Sequence, residues 1–153
     1  MPIRAELRHH YGKIWRTVIR PRILARAGNK CEQCYKPNRK RVSVISLPGV
    51  GQFWRLRASD AWVRCIDATA FPSSIMYRTF SDGVRAARRI RVVLTVAHLN
   101  HVAGDDRDEN LKALCQWCHL NYDLAHHHET RAARKDAARP LLTPNQPTKE
   151  AIL

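Results

Sequence analysis

The sequence is short of several things, and each shortage removes a class of protein. It has no run approaching the roughly 18 apolar residues of a membrane-spanning helix. Its first stretch, MPIRAELRHHYGKIW, lacks the apolar h-region of a secretory signal, so the expectation is a cytoplasmic chain with no membrane partner. No internal repeat is visible, which excludes solenoids and arrays. Five cysteines cannot all pair, and a disulfide framework does not suit a chain without a secretory signal. Acidic residues are scarce, 13 Asp+Glu against 27 Lys+Arg, for a net charge of +14. A surplus of that size points to a polyanionic partner, with solubility as the plainer alternative. Within 153 residues, hydrophobic side chains make up 44%, enough for one domain with a real core.

The charge is uneven. Residues 1–41 carry a net +10 and 42–95 a net +5, whereas 96–130 carry −4 and the remainder +3. Six of the eight histidines (His98, His101, His119, His126, His127 and His128) fall in that acidic segment. Carboxylates and imidazoles gathered inside a basic chain suit a metal held against a phosphate backbone.

Four of the cysteines form two CxxC pairs, Cys31–Cys34 and Cys115–Cys118. Each pair offers two thiolates from one tight turn, and two turns complete a tetrahedral zinc shell. In ribbon-type sites about 15–20 residues separate such pairs. Here the much longer stretch 35–114 intervenes, so a structural Zn²⁺ would staple the N-terminal region to a distant C-terminal segment. Redox chemistry is disfavoured, because neither pair follows an isolated strand in a βαβ pattern. Cys65, in the strand-like WVRCI, reads as a core thiol rather than a fifth ligand.

Residues 3–27 repeat Ile14, Trp15, Val18, Ile19, Ile23 and Leu24 at helical spacing, with Pro21 splitting the stretch into two helices or opening the second, and Gly28-Asn29 ending it. From 42 the pattern turns to strands: VSVIS, FWRLR and AWVRCI, broken by Pro48-Gly49, FPSS and SDG. Val84–Ile90 reads as a short helix and RVVLTVAHL as one buried strand. LKALCQWCHLNYDLAHHH reads as a helix ended by Pro140, and PLLTPNQPTKEAIL as a flexible tail.

Taken together, VLTVAHLNHVAGDDRDENLKALCQWCHLNYD resembles the HNH endonucleases, in the style of small bacterial and phage members. The order is His98, then Asn110-Leu, then Leu-Cys-x-x-Cys-His119, with GNKCEQC upstream. The match covers about residues 92–128; residues 1–27 and 42–90 match no family by motif. The resemblance implies an α+β chain with a ββα-metal (His-Me finger) core, in which a two-stranded hairpin packs on a helix. The expected organisation is a basic helical region over 1–30, a zinc-stapled nuclease domain over 31–139 with a β insertion at about 42–90, and a tail over 140–153.

The implied activity is metal-dependent hydrolysis of DNA phosphodiesters. His98 would act as general base, Asn110 would fix the loop or orient that histidine, and His119 would hold Mg²⁺, Mn²⁺ or Ni²⁺ against the phosphate. Many members carry Asp immediately before the first histidine as a metal ligand; here Ala97 stands there. His101 and Asp123 are the replacement ligands within reach, and His126–His128 read as a solvated helix end.

For DNA contact the basic turns of the N-terminal helix stand out: Arg16, Arg20, Arg22 and Arg26. A second set, Arg55, Arg57, Arg64 and Arg78, interleaves with Trp54, Trp62 and Tyr77, although those aromatics read better as core. Nothing specifies base readout. Cutting both strands needs two sites, which a homodimer would supply. The alternative to an enzyme is a non-catalytic, zinc-stapled nucleic-acid-binding module, with Ala97 the mark of a degenerate site.

Overall fold

The computed structural model describes residues 5–137 and shows a mixed α+β chain. The expected tail over 140–153, with Pro140, lies outside the described residues. Two compact units divide it, one ending at Tyr122 and one starting at Asp123.

The first unit opens with a 3₁₀ segment, Ala5–Tyr11, and a π-helical turn, Trp15–Ile19. Helix α1, Arg20–Arg26, follows, with Pro21 in its first turn, where a missing N–H costs nothing. Gly28 and Asn29 both take left-handed backbone (φ 57° and 53°) and end it, as the sequence predicts.

Five strands then build one antiparallel sheet in the order β4-β3-β2-β1-β5: β1 Arg41–Leu47, β2 Gly51–Arg55, β3 Ala61–Arg64, β4 Ala70–Pro72 and β5 Arg88–Arg91. Helix α2, Ser73–Arg85, lies between β4 and β5 in sequence. It begins well before the short helix expected at Val84–Ile90, because Pro72 is a good residue to precede a helix but cannot extend one. Residues 88–90 instead pair with β1.

The sheet buries a different core on each face, as period-two alternation requires. Val42, Val44 and Trp54 join the cluster that contains Ile23, Leu24, Leu94, Leu111, Leu114 and the cysteines. Ile45, Phe53 and Trp62 face Met76 and Val84 of α2. Trp54 and Trp62 are therefore core, as expected, whereas Tyr77 on α2 is exposed rather than core; the Arg55 guanidinium lies 5.1 Å from the Trp62 ring centre.

A second sheet has two strands, β6 Leu94–His98 and β7 Leu111–Cys115, paired antiparallel with His98 opposite Leu111 and Leu94 opposite Cys115. Two expectations change here. RVVLTVAHL is not one strand. Its first part belongs to the five-stranded sheet, the Val92 amide donating to the Lys40 carbonyl, and its second part crosses to the hairpin at Val93. LKALC is a strand rather than the start of a helix. Its buried Leu111, Ala113 and Cys115 satisfy period two, and β6 supplies its hydrogen bonds. Helix α3, Gln116–Tyr122, starts only after Cys115.

The second unit contains α4, Leu124–Ala137, with no buried residue, so the single helix expected through HHH is two helices. Among the described residues no helix is long and apolar enough to cross a membrane.

Candidate functional site

The hairpin carries different chemistry at its two ends. At the Leu94–Cys115 end, the four cysteines of the two CxxC pairs meet. Cys31, Cys34, Cys115 and Cys118 are all buried, with their sulfurs within 4.8 Å of one another. The Cys34 and Cys115 sulfurs are 3.8 Å apart. That separation is far beyond a disulfide bond of about 2.05 Å. It matches the edge of a tetrahedron with metal–sulfur bonds of about 2.3 Å. The four could hold a metal ion, and an all-thiolate set suits zinc.

The thiols polarise one another. Contacts from Cys115, Cys118 and Cys34 hold Cys31 far below the ordinary thiol value. Contacts with Cys115, Cys31 and Cys34, and then burial, push Cys118 far above it. Four thiolates cannot coexist in this space without a cation, which is the charge a metal supplies.

Two elements lock the cluster. The Glu32 amide donates to the Ala113 carbonyl, and the Ala113 amide donates to the Glu32 carboxylate, joining the first CxxC turn to β7. Lys36, 1% exposed, donates to Gln52 Oε1 at 2.6 Å and reaches Cys115 Sγ at 3.9 Å. Burial alone would push its ammonium down. The charges of Cys65, Cys115 and Cys34 more than offset that and hold it above the usual lysine value. Cys65 is fully buried beside this group and stands outside the metal-holding set, as the sequence suggests.

At the other end, β6 delivers His98 into a polar corner. Its Nε2 lies 3.0 Å from Asp106 Oδ1, with side-chain exposures of 6% and 27%. The Trp15 ring stacks on the imidazole at 5.1 Å, and Tyr11 meets it edge-on at 6.1 Å. Burial, and then the Asp106 charge, raises the Tyr11 phenol above its ordinary value. With Nε2–H donating to Asp106, Nδ1 is the basic nitrogen of the ring. A cleft of roughly 420 Å³ opens onto Asp106, lined by His9, His10, Lys13 and Trp15. Gly104 takes φ 91°, and a Cβ there would sit 2.5 Å from the His10 ring, so only glycine fits this wall.

Asn110 closes the loop between the strands. Its Oδ1 accepts the Asn100 amide at 3.0 Å, and its Nδ2 donates to Asn100 Oδ1 at 3.0 Å and to the Asp105 carbonyl at 2.8 Å. Its own carbonyl accepts the Leu99 amide. Asn110 therefore sits beside His98 through the hairpin and holds the loop that carries Asp106.

His119, on α3, lies elsewhere. Its Nδ1 is 2.9 Å from Thr95 Oγ1. Thr95 and Ala97 share a face of β6 by alternation, whereas His98 turns its ring to Trp15. The structure thus brings His98 and Asn110 to one end of the hairpin and sets His119 against the Thr95–Ala97 face. His101 takes left-handed backbone (φ 57°) and packs its ring against Tyr122 at 5.5 Å. Asp123 opens the second unit, where its carbonyl accepts the His127 amide. Among the described residues, the four cysteines are the one group of three or more metal-binding side chains.

The arginines of α1 are largely committed. Arg20 donates to the Leu94 carbonyl, and Arg22 pairs with Asp108. Arg26 donates to the carbonyls of Asp108 and Leu111 and pairs with Glu32. They clamp α1 to the hairpin loop, whereas the Arg16 side chain donates to its local Gly12 carbonyl. Asp106 and Lys36 have no distinguishing motif of their own. Asp106 is one of several acidic residues in GDDRDEN, and the hairpin geometry alone selects it. No protein-family model, curated protein or solved structure matches the chain.

Proposed function

We propose that the chain is a DNA endonuclease of the HNH type, with the β6–β7 hairpin and α3 as its ββα core and Zn²⁺ in the four-cysteine cluster. The observation that carries the reading is the His98–Asp106 pair. In this pair a buried imidazole is oriented by a carboxylate at the end of β6, where the resemblance, through the order His98, Asn110, CxxCH119, would have the general base. His98 Nδ1 takes the proton of the attacking water, and Asp106 fixes the tautomer and stabilises the imidazolium that forms. Asn110 is a positioning residue that holds the Asp106 loop. Lys13, with His9 and His10 in the adjoining cleft, would meet phosphate.

The catalytic ion that the resemblance implies, Mg²⁺, Mn²⁺ or Ni²⁺, finds one protein donor here, His119. Ala97 brings no carboxylate to the face His119 meets, and the residues present do not build a full site for such an ion. No step is therefore routed through it. That same observation favours the second reading, a zinc-stapled nucleic-acid-binding module without catalysis.

A plasmid-nicking assay separates the two. Parent protein and His98→Ala are compared with Mg²⁺, Mn²⁺ or Ni²⁺ and with no added divalent ion. Nicking by the parent that His98→Ala loses supports the endonuclease. Salt-dependent binding by both proteins, with no cleavage under any condition, establishes the module instead.

A further inference from the structure

The insertion between the two CxxC pairs ends one side of its sheet with an unusual run of charge. Edge strand β5 reads Arg88-Arg89-Ile90-Arg91, and its neighbour β1 begins at Arg41 after Arg39 and Lys40. The register sets Arg91 directly opposite Arg41 and Arg89 opposite Ser43. Alternation turns Arg41, Ser43, Arg89 and Arg91 to one face, while Val42 and Ile90 turn to the cysteine-side core. Further along that same face, Ile45 is covered by Met76 and Val84 of α2. The helix leaves the arginine rows open, and Arg41, Arg89 and Arg91 are all exposed.

Like charges directly opposite across a ladder, with Cβ atoms about 4.5–5.5 Å apart, destabilise a sheet. Several other arginines are neutralised within the chain. Arg22, Arg26, Arg64 and Arg107 each have a carboxylate partner. Among the described residues, Arg41, Arg89 and Arg91 make no ion pair. An edge strand also needs protection from pairing with another chain, and charge supplies it. Protection alone does not call for arginine opposite arginine on the open face.

We infer that the open arginine face of β1 and β5 is a docking surface for the phosphate backbone of duplex DNA. The arginines of two adjacent strands present a row of guanidiniums that a line of phosphates neutralises, relieving their mutual repulsion on binding. The contact reads charge and shape, not bases, so it positions the duplex without sequence preference. The choice of duplex DNA rests on the endonuclease reading; the cationic face itself does not.

The test is fluorescence anisotropy of a short labelled duplex of arbitrary sequence across a potassium chloride series. Three full-length proteins are compared: the parent, Arg89→Ser/Arg91→Ser, and a charge-matched control, Arg131→Ser/Arg134→Ser on α4, whose sites are also exposed. Each phosphate contact contributes about 0.9 to the slope of log K against log salt, so the β5 variant should flatten it by about 1.8 and bind roughly tenfold more weakly at low salt. The control should track the parent. Thermal melting keeps a folding defect apart from a lost contact, since relief of repulsion leaves the β5 variant at least as stable as the parent. Equal losses in both variants, or tighter binding of single-stranded DNA or RNA than of the duplex, would overturn the inference. Cleavage by the parent with unaltered binding by the β5 variant overturns this surface and leaves the endonuclease standing. Binding through the surface without cleavage does the reverse.

Discussion

The two ends of the β6–β7 hairpin are built on opposite plans. At one end four thiols, a lysine and a glutamine are buried together, and their contacts tie the first CxxC turn to β2 and to β7. At the other end a histidine, an aspartate and an asparagine sit among loop backbone groups, part of them open to a cleft. The length of β6 separates the two. The first end closes all its valences inward, as architecture does. The second sets one carboxylate, Asp106, on an open cleft beside the buried His98. The hairpin thus ties its open end to its closed end.

If the closed end is architectural, breaking it should cost the fold. Structural zinc contributes an apparent binding free energy of about 10–16 kcal/mol, comparable to or above a whole domain's stability of about 5–15 kcal/mol. Cys115→Ser, or exhaustive chelation, should therefore unfold the first unit, read as lost circular-dichroism signal with release of one zinc per chain. Acidification should act alike, because thiolates must be proton-free to hold the metal. A sharp melt that survives chelation would show that the cysteine cluster does not hold the fold together.

Lys36→Met probes the closed end from within. It keeps the buried volume but removes the cation facing the sulfur cluster and leaves Gln52 Oε1 without its donor. Removing one partner of a buried charged group costs about 3–5 kcal/mol. The variant should lose zinc to a chelator faster and melt lower; unchanged release would show that the lysine does not support the cluster.

Asn110→Ala tests the open end. It deletes three hydrogen bonds at about 1 kcal/mol each, so a loss of about 3 kcal/mol is expected, confined to the loop over 99–110 and read by amide hydrogen exchange. Zinc content should not change. Ala97→Asp is a gain experiment on the face His119 meets: a carboxylate there should raise Mn²⁺ affinity, measured by calorimetry on the zinc-loaded protein. No change in Mn²⁺ affinity would mean that this face does not converge on His119.

The smallest expected effect is a titration. Arg107 holds the Asp105 carboxyl down to about 2, with the Asn100 amide assisting. The folded value lies below the unfolded one of about 3.9. Its contribution is therefore present above about pH 3.9 and is lost as pH falls through about 2. Arg107→Ala should shift the Asn100 amide titration in NMR toward the ordinary carboxylate range.

The closed end was legible in the sequence and the open end only in part. Two CxxC pairs announce each other across the whole insertion because thiol pairs have few other uses, and their meeting is what the structure shows. The Gly28-Asn29 stop and the strands of the insertion were equally plain. LKALC misleads because its apolar positions satisfy both helical and strand periods over so short a stretch. β6 decides the matter by pairing with it. The α1 arginines look free in the sequence because their partners, Asp108 and the Leu111 carbonyl, lie on the far side of the insertion. Asp106 hides among its acidic neighbours until the loop is closed by Asn110. The arginine rows of β1 and β5 cannot be seen at all without register, since Arg41 and Arg91 stand at opposite ends of the insertion.

The endonuclease reading turns on Asp106. Asp106→Asn leaves the hairpin, the cleft and the cysteine cluster in place but removes the charge that orients His98 and stabilises its protonated form. The nicking rate of this variant, measured beside the parent at matched zinc content and melting temperature, is the decisive number. A fall of about 10²–10⁴-fold is predicted, the range lost when a general base loses its orienting partner. A rate equal to the parent's would contradict the account, leaving His98 a packed histidine and the open end a loop.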